Sequence, residues 1–141
     1  YTATNAPQLQ PRVLINYEQI RSGRGALQLE CTAPLGAPQY SNTPSIRITS
    51  PSMKVQPGQL IKLSGWVRMP KPLSGSVDGL RISDTLGGAA LAVQLRKTEN
   101  KWHPIVLYRL ADSTGSIAFH IELLGNGKVW LDDFAVEVLP P

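Results

Sequence analysis

The sequence is poor in the residues and runs that mark several common classes of protein. It has a single cysteine, Cys31, which excludes an intrachain disulfide and a zinc site built from cysteines. No run of Lys or Arg accompanies the net charge of +4, whereas nucleic-acid binders concentrate such residues on one element. The apolar stretches are too short to cross a membrane. We therefore expect neither a nucleic-acid partner nor membrane insertion.

Catalytic motifs are also missing. His103 and His120 are the only histidines and do not have the HExxH spacing, and no GxSxG elbow, P-loop or GxGxxG motif is present. Asp84 and Glu122 are the one pair of acids that we considered for glycoside hydrolysis. Asp84 precedes a Thr-Leu-Gly-Gly turn, however, and capping that turn is the simpler role. The sequence therefore predicts a binding protein rather than an enzyme.

Glycine and proline, by contrast, are frequent, with twelve of each spread along 141 residues. Between them lie short segments in which apolar and polar residues alternate, as in strands with one buried face. The clearest is residues 60–69, where the odd positions are apolar apart from Gly65. About eight such segments predict an all-β fold, a jelly-roll sandwich of antiparallel strands, with a closed barrel as the alternative. We assign residues 26–141 to this domain and residues 1–25 to a weakly patterned N-terminal segment.

Three pieces of the sequence, covering over half of the chain, carry a resemblance to a known family. They are VQPGQLIKLSGWVRMP at residues 55–70, TENKWHPIVLYR at 98–109 and GNGKVWLDDFAVEVL at 125–139. In order and spacing they resemble the carbohydrate-binding-module jelly rolls of the galactose-binding-like superfamily. The resemblance implies a sandwich fold, sugar binding, and a place in a larger secreted or cell-surface protein. The chain begins at Tyr1 rather than Met, and we expect any signal peptide to lie outside it.

Trp66 is the first candidate for sugar recognition, because it lies on the polar face of the 60–69 segment. A flat indole fits the C–H face of a pyranose, and flanking polar side chains can hold the hydroxyls. The outward positions of this and other strands add the remaining candidates, Arg68, Arg81, Gln94, Arg96, His120 and Glu122. The alternative interpretation is that a loop or the N-terminal segment covers Trp66. Trp102 and Trp130 are both assigned to the core.

Asp132 is the most unusual acid, because it shares its alternating positions with Trp130, Phe134 and Val136. A carboxylate on a buried face needs hydrogen bonds or a cation. The resemblance implies a structural Ca²⁺ held by an acid on this strand, and Glu30 is the second ligand that we expect. Two alternatives stay open: Asp132 caps backbone amides of a loop, or a bulge at 132–133 reverses the alternation.

Three functions follow from these patterns. The first is a noncatalytic carbohydrate-binding module that binds a polysaccharide or glycan, in an extracellular or cell-surface protein. The second is a structural or protein-interaction sandwich without sugar affinity, favoured by the shortage of exposed aromatic residues. The third, a small hydrolase or lyase, requires two convergent carboxylates. The position of Trp66 distinguishes the first two.

Overall fold

Two antiparallel sheets of five strands each form the protein in the computed structural model, which describes residues 2–3, 10–32 and 44–140. Sheet A has the order β1 (Thr2–Ala3), β4 (Ile46–Thr49), β11 (Phe119–Leu123), β7 (Leu80–Asp84) and β8 (Val93–Leu95). Sheet B has the order β2 (Gln10–Asn16), β3 (Ala26–Thr32), β12 (Gly127–Leu139), β6 (Leu60–Arg68) and β9 (His103–Leu110). A ribbon of β5 (Met53–Val55) and β10 (Gly115–Ile117) and one 3-10 turn at Ala89–Leu91 complete the described elements.

The core lies between the two sheets and follows from the alternation in the sequence. On β6 the odd-numbered residues are buried and the even-numbered ones face outward. The same core contains Ile46, Leu80, Ile82, Phe119 and Leu123 from sheet A, and Leu29, Ile61, Leu63, Val67, Ile105, Leu107, Val129 and Leu131 from sheet B. Two sheets that share one core form a sandwich, and the described strands do not close into a barrel. The predicted all-β sandwich is confirmed.

The N-terminal segment contributes to this sandwich. β2 pairs with β3 along its full length, from Gln10 opposite Thr32 to Asn16 opposite Ala26. It is therefore an edge strand of sheet B, although its sequence alternates weakly. Residues 4–9 of the same segment, and most of the Pro-rich connection at 33–44, lie outside the described residues. Among the described residues, no helix is long and apolar enough to span a bilayer.

A bulge interrupts β12 where it passes β6. The register shifts between Asp132 and Ala135, so Asp133 and Phe134 together oppose Gly65. Asp133 has φ of 55°, and the ring of Phe134 packs against the bare Cα of Gly65. Trp130 and Asp132 consequently lie on the outer face of sheet B, whereas Phe134 packs against the core. The predicted reversal of the alternation at 132–133 is thus present.

Candidate functional site

The structure divides the predicted sugar-binding residues between two opposite faces of the sandwich. Trp66 and Arg68 lie on the outer face of sheet B, on β6. The outer face of sheet A carries Arg81, Gln94, His120 and Glu122, as the pairing of β11 with β7 and of β7 with β8 requires. Arg96 is exposed just beyond the end of β8. No single site can therefore contain all seven side chains.

The loop between β2 and β3, residues 17–25, covers one face of Trp66. The guanidinium of Arg21 lies 3.7 Å from the centroid of the indole and stacks on it. Trp66 is partly buried as a result. The interpretation that a loop covers this residue therefore describes its surroundings better than an open sugar platform does.

Asp132 holds this loop in place. Its Oδ2 accepts the backbone N–H groups of Arg21 at 2.8 Å and Ser22 at 3.1 Å, and its Oδ1 accepts that of Asp133 at 2.8 Å. These bonds satisfy a carboxylate that is buried beneath the loop. Asp132 therefore caps backbone amides of a loop, which is one of the two alternatives to a cation site.

The neighbouring Asp133 binds the side chains of the same two loop residues. It accepts Ser22 Oγ at 2.6 Å and Arg21 Nη1 at 2.9 Å. The hydrogen bond from Ser22, followed by that from Arg21, lowers the pKa of the Asp133 carboxyl below its ordinary value. Because the bulge turns both acids toward one loop, Arg21 is fixed through its backbone and its side chain.

Arg68 also connects loops rather than offering free donors. Its Nε donates to the carbonyl oxygen of Asn100 at 3.2 Å and to its Oδ1 at 3.1 Å, and its Nη1 donates to Gln19 Oε1 at 3.2 Å. The guanidinium lies 5.4 Å from the ring centroid of Trp130. Trp130 is buried as predicted, but on the outer face of sheet B, where its Nε1 donates to Gln28.

The other half of the outer face of sheet B is open, and Tyr108 is its exposed aromatic residue, with 50% of its surface accessible. We call this surface the open face. It consists of Leu60, Lys62, Ser64, Val106, Tyr108, Leu110, Ala135, Glu137 and Leu139. The Nζ of Lys62 lies 5.9 Å from the ring centroid of Tyr108.

This arrangement corrects the sequence interpretation of β9. The assignment of Trp102 to the core implies that Val106, Tyr108 and Leu110, at alternate positions from it, also face inward. The structure buries Ile105 and Leu107 instead, and Trp102 is only partly buried. Leu107 stands opposite Leu63 and Ile105 opposite Gly65, whose side of β6 faces the core. Both sets of β9 residues are apolar, so the alternation could not decide between them.

Glu122 organises the outer face of sheet A. Its Oε2 accepts Arg47 Nε at 3.0 Å and its Oε1 accepts Arg81 Nε at 3.1 Å. The two arginines leave the side chain of Glu122 only 2% exposed. Two residues away on the same face, the ring of His120 is 3.0 Å from the hydroxyl of Thr49. We call Arg47, Arg81, Glu122, His120 and Thr49 the sheet A cluster. Arg47 and Thr49 were not among the residues expected at a site, because the alternation does not reveal that β4 pairs with β11.

The predicted calcium ligands are not brought together. Glu30 stands opposite Lys128 of β12. Lys128 precedes Asp132 by four residues, so Glu30 and Asp132 are about 13 Å apart along the strands. Both lone pairs of Asp132 Oδ2 are occupied by N–H groups, which does not suit a cation ligand. Within the described ranges, no group of three or more His, Cys, Asp or Glu side chains could hold a metal ion.

Calcium binding stays a prediction of the sequence resemblance, and thermal unfolding tests it against the geometry of Asp132, which favours the opposite outcome. A bound ion would raise Tm with the Ca²⁺ concentration, and EDTA would reverse the rise. Because Asp132 Oδ2 already accepts two N–H groups, we expect the same Tm in excess EDTA and in excess CaCl₂. A clear rise with Ca²⁺ that Asp132→Asn abolishes would contradict this expectation and establish the site.

The two acids considered for hydrolysis do not converge. Asp84 lies inside the sandwich, where its Oδ2 binds Arg109 Nη2 at 2.7 Å, and Glu122 lies on the opposite face of sheet A. The Oδ1 of Asp84 accepts the N–H groups of Leu86 and Gly87, so its predicted turn-capping role is confirmed. This pair cannot flank a glycosidic bond.

An apolar pocket of about 240 Å³ opens between the two sheets beside the bulge. Its lining consists of Ile48, Ser50, Leu63, Phe119, Ile121, Phe134, Ala135 and Val136. The hydroxyl of Ser50, the one polar side-chain group in the lining, is engaged with the backbone of Pro51 and Phe119. The pocket therefore has no group that could orient a sugar.

Comparisons with known proteins support the fold. No family model and no curated protein matches the chain. The CBM22-1 xylan-binding domain of Paenibacillus barcinonensis Xyn10C has a TM-score of 0.56 and 16% identity, covering 99% of this chain and 90% of that one. A CBM4 structure has a TM-score of 0.60 and 12% identity, covering 92% and 78% respectively. The chain has the fold of carbohydrate-binding modules, as the sequence resemblance predicted.

An enzyme contains the same fold as a part. The enzymatically active domain of tailspike protein 4 from bacteriophage CBA120 has a TM-score of 0.60 and 10% identity. The match covers 98% of this chain but 18% of the tailspike chain. Identities this low establish a shared fold and leave ligand and activity open.

Proposed function

We propose that the chain is a noncatalytic carbohydrate-binding module whose ligand lies on the open face. The observation that carries this proposal is the exposed ring of Tyr108 on the outer surface of sheet B. Such a ring can stack on the C–H face of a sugar. Lys62, Ser64 and Glu137 surround it with donors and acceptors for hydroxyl groups.

Trp66 has a different role in this proposal from the one that the sequence suggested. Trp66 stands opposite Pro104 of β9, and Pro104 precedes Tyr108 by four residues. The two aromatic residues are therefore about 13 Å apart along the strands. With Arg21 stacked on it, Trp66 forms the end wall of the open face. The space between them suits a short stretch of a glycan chain.

The setting of the module is part of the same proposal. Carbohydrate-binding modules act beside other domains in secreted or cell-surface proteins, and we expect the same of this chain. The fold shared with a xylan-binding domain supports this expectation without identifying the sugar.

Replacing Tyr108 with alanine tests the proposed face. Wild-type protein is screened against xylan, galactan and mixed-linkage glucan by affinity gel electrophoresis, and a ligand found there is measured by calorimetry. We expect Tyr108→Ala to weaken that binding about tenfold, since one lost aromatic contact corresponds to about 1.4 kcal/mol.

The control is Tyr17→Ala, which removes a tyrosine that is 72% exposed and lies outside the open face. We expect its affinity to equal that of the wild type. Binding that survives Tyr108→Ala unchanged would place the ligand elsewhere, and a loss of equal size in both variants would indicate a non-specific effect.

A structural or protein-interaction domain is the second candidate. The observation that favours it is the apolar part of the open face, where Val106 and Leu110 on β9 and Leu139 on β12 are exposed on either side of β6. Failure of the wild-type protein to bind any glycan of the panel would favour this candidate over the first.

A further inference from the structure

The sheet A cluster is a built arrangement of two arginines around one carboxylate. Both arginines donate to Glu122 from Nε, so the hydrogen bonds to the shared acid do not use their terminal Nη groups. In the part of the chain that the structure describes, neither residue donates a hydrogen bond from an Nη atom; Arg81 Nη1 lies 3.9 Å from Asp78 Oδ2. The side chain of Arg47 is 48% exposed.

We propose that this cluster is a second binding site, which takes the carboxylate of an acidic sugar such as a uronic acid. The choice of a glycan as the ligand depends on the function proposed above. The choice of a carboxylate depends on the cluster, because the planar fork of a guanidinium matches a carboxylate with two parallel hydrogen bonds.

Glu122 prepares the site by fixing the arginines before the ligand arrives. An isolated surface arginine loses side-chain entropy when it binds, whereas Arg47 and Arg81 are already held at Nε. Arg81 lies near two carboxylates, those of Glu122 and Asp78, so the positive charge that faces solvent is that of Arg47. A ligand carboxylate therefore meets ordered donors on Arg47 without displacing an existing partner.

The neighbouring groups suit a sugar ring better than a nucleic acid. Thr49, His120 and Gln94 offer single hydroxyl, imidazole and amide groups beside the arginines. Apart from His120, the described strands of this face present no outward aromatic ring on which bases could stack. The carboxylate of Asp78 accepts Gln94 Nε2 at 3.1 Å and so orients this amide beside Arg81.

A pair of polymers that differ only in their carboxylates tests the proposal. Polygalacturonate and its fully methyl-esterified form are compared by affinity gel electrophoresis and calorimetry at physiological ionic strength, which screens long-range attraction. We expect wild-type protein to bind the acid form and to bind the ester at least tenfold more weakly. Arg47→Gln is expected to lose about tenfold for the acid form, because it removes the exposed fork while Arg81 still pairs with Glu122.

Two further variants exclude a general charge effect. Arg12→Gln removes the same charge from an exposed arginine on β2 in sheet B, and we expect its affinity to be unchanged. Arg47→Lys keeps the charge without the fork and should bind as weakly as Arg47→Gln. Equal losses in the Arg12 and Arg47 variants, or wild-type strength in Arg47→Lys, would overturn the proposal.

Other arms separate this site from the open face. Tyr108→Ala should lose the binding of neutral glycan and keep the binding of polygalacturonate. Loss of both ligands would mean that they share one site on sheet B, and it would overturn the site at the sheet A cluster. If no neutral glycan binds but polygalacturonate binds in a way that depends on Arg47, the proposed site on the open face is wrong and the site at the sheet A cluster stands. Binding to single-stranded DNA as tight as to polygalacturonate, or absence of polygalacturonate binding, would refute the carboxylate site. Unfolding curves for each variant confirm that the protein is folded.

Discussion

Replacing Asp84 with alanine is expected to lower the free energy of unfolding by about 3 to 5 kcal/mol. The Asp84 carboxylate is fully buried and accepts Nε and Nη2 of Arg109, whose side chain is itself 13% exposed. Alanine leaves this guanidinium inside the sandwich without its counter-ion. It also frees the N–H groups of Leu86 and Gly87, which close the turn after β7. Urea denaturation followed by circular dichroism measures the change.

Asp78→Ala is the matched control, because Asp78 lies 3.9 Å from Arg81 in a partly exposed pair. Pairs of that kind contribute about 1 kcal/mol or less. Similar losses for the two variants, or a loss below about 1 kcal/mol for Asp84→Ala, would show that Arg109 finds water or another acceptor when its partner is removed. In that case the ion pair would not hold the β7 turn.

Much of the fold could be predicted because individual strands have one apolar and one polar face. On β6 the buried Ile61 and Leu63 alternate with Lys62 and Ser64, and that contrast alone assigns the inner face. On β9 the contrast is missing, since Leu107 and Tyr108 are both suited to a core. The pairing of Leu107 with Leu63 decides the matter, and such pairing is a property of the folded chain.

The candidate sites could be predicted less well, because they depend on contacts between distant parts of the sequence. Arg21 reaches Trp66 only through a loop that Asp132 holds from 111 residues away. The sharing of Glu122 by two arginines requires β4 and β7 to flank β11. On β6, β7 and β11 alternation identified which residues face outward, but it carried no information on which of the two sheets each strand joins.

We expect Asp132→Ala to detach the 17–25 loop from sheet B. The Asp132 carboxylate is the acceptor for backbone N–H groups of Arg21, Ser22 and Asp133, and hydrogen bonds to a charged group contribute about 1.5 to 3 kcal/mol each without being additive. A net loss of about 2 to 3 kcal/mol in unfolding free energy follows. Because the loop carries Arg21, the face of Trp66 should become accessible. Hydrogen exchange resolved to peptides measures the opening, as faster exchange within residues 17–25 than in the strands.

Asp133→Asn separates the backbone contacts from the side-chain contacts. This residue has φ of 55°, which asparagine tolerates, and it binds only the side chains of Ser22 and Arg21. We therefore expect a smaller loss of stability and little change in exchange across residues 17–25. If the loop exchanges equally fast in both variants, the backbone amides are not what holds it, and Arg21 would reach Trp66 through its own side chain. If Asp132→Ala binds neutral glycan more tightly than the wild type, Arg21 competes with sugar for the indole, and the open face extends as far as Trp66.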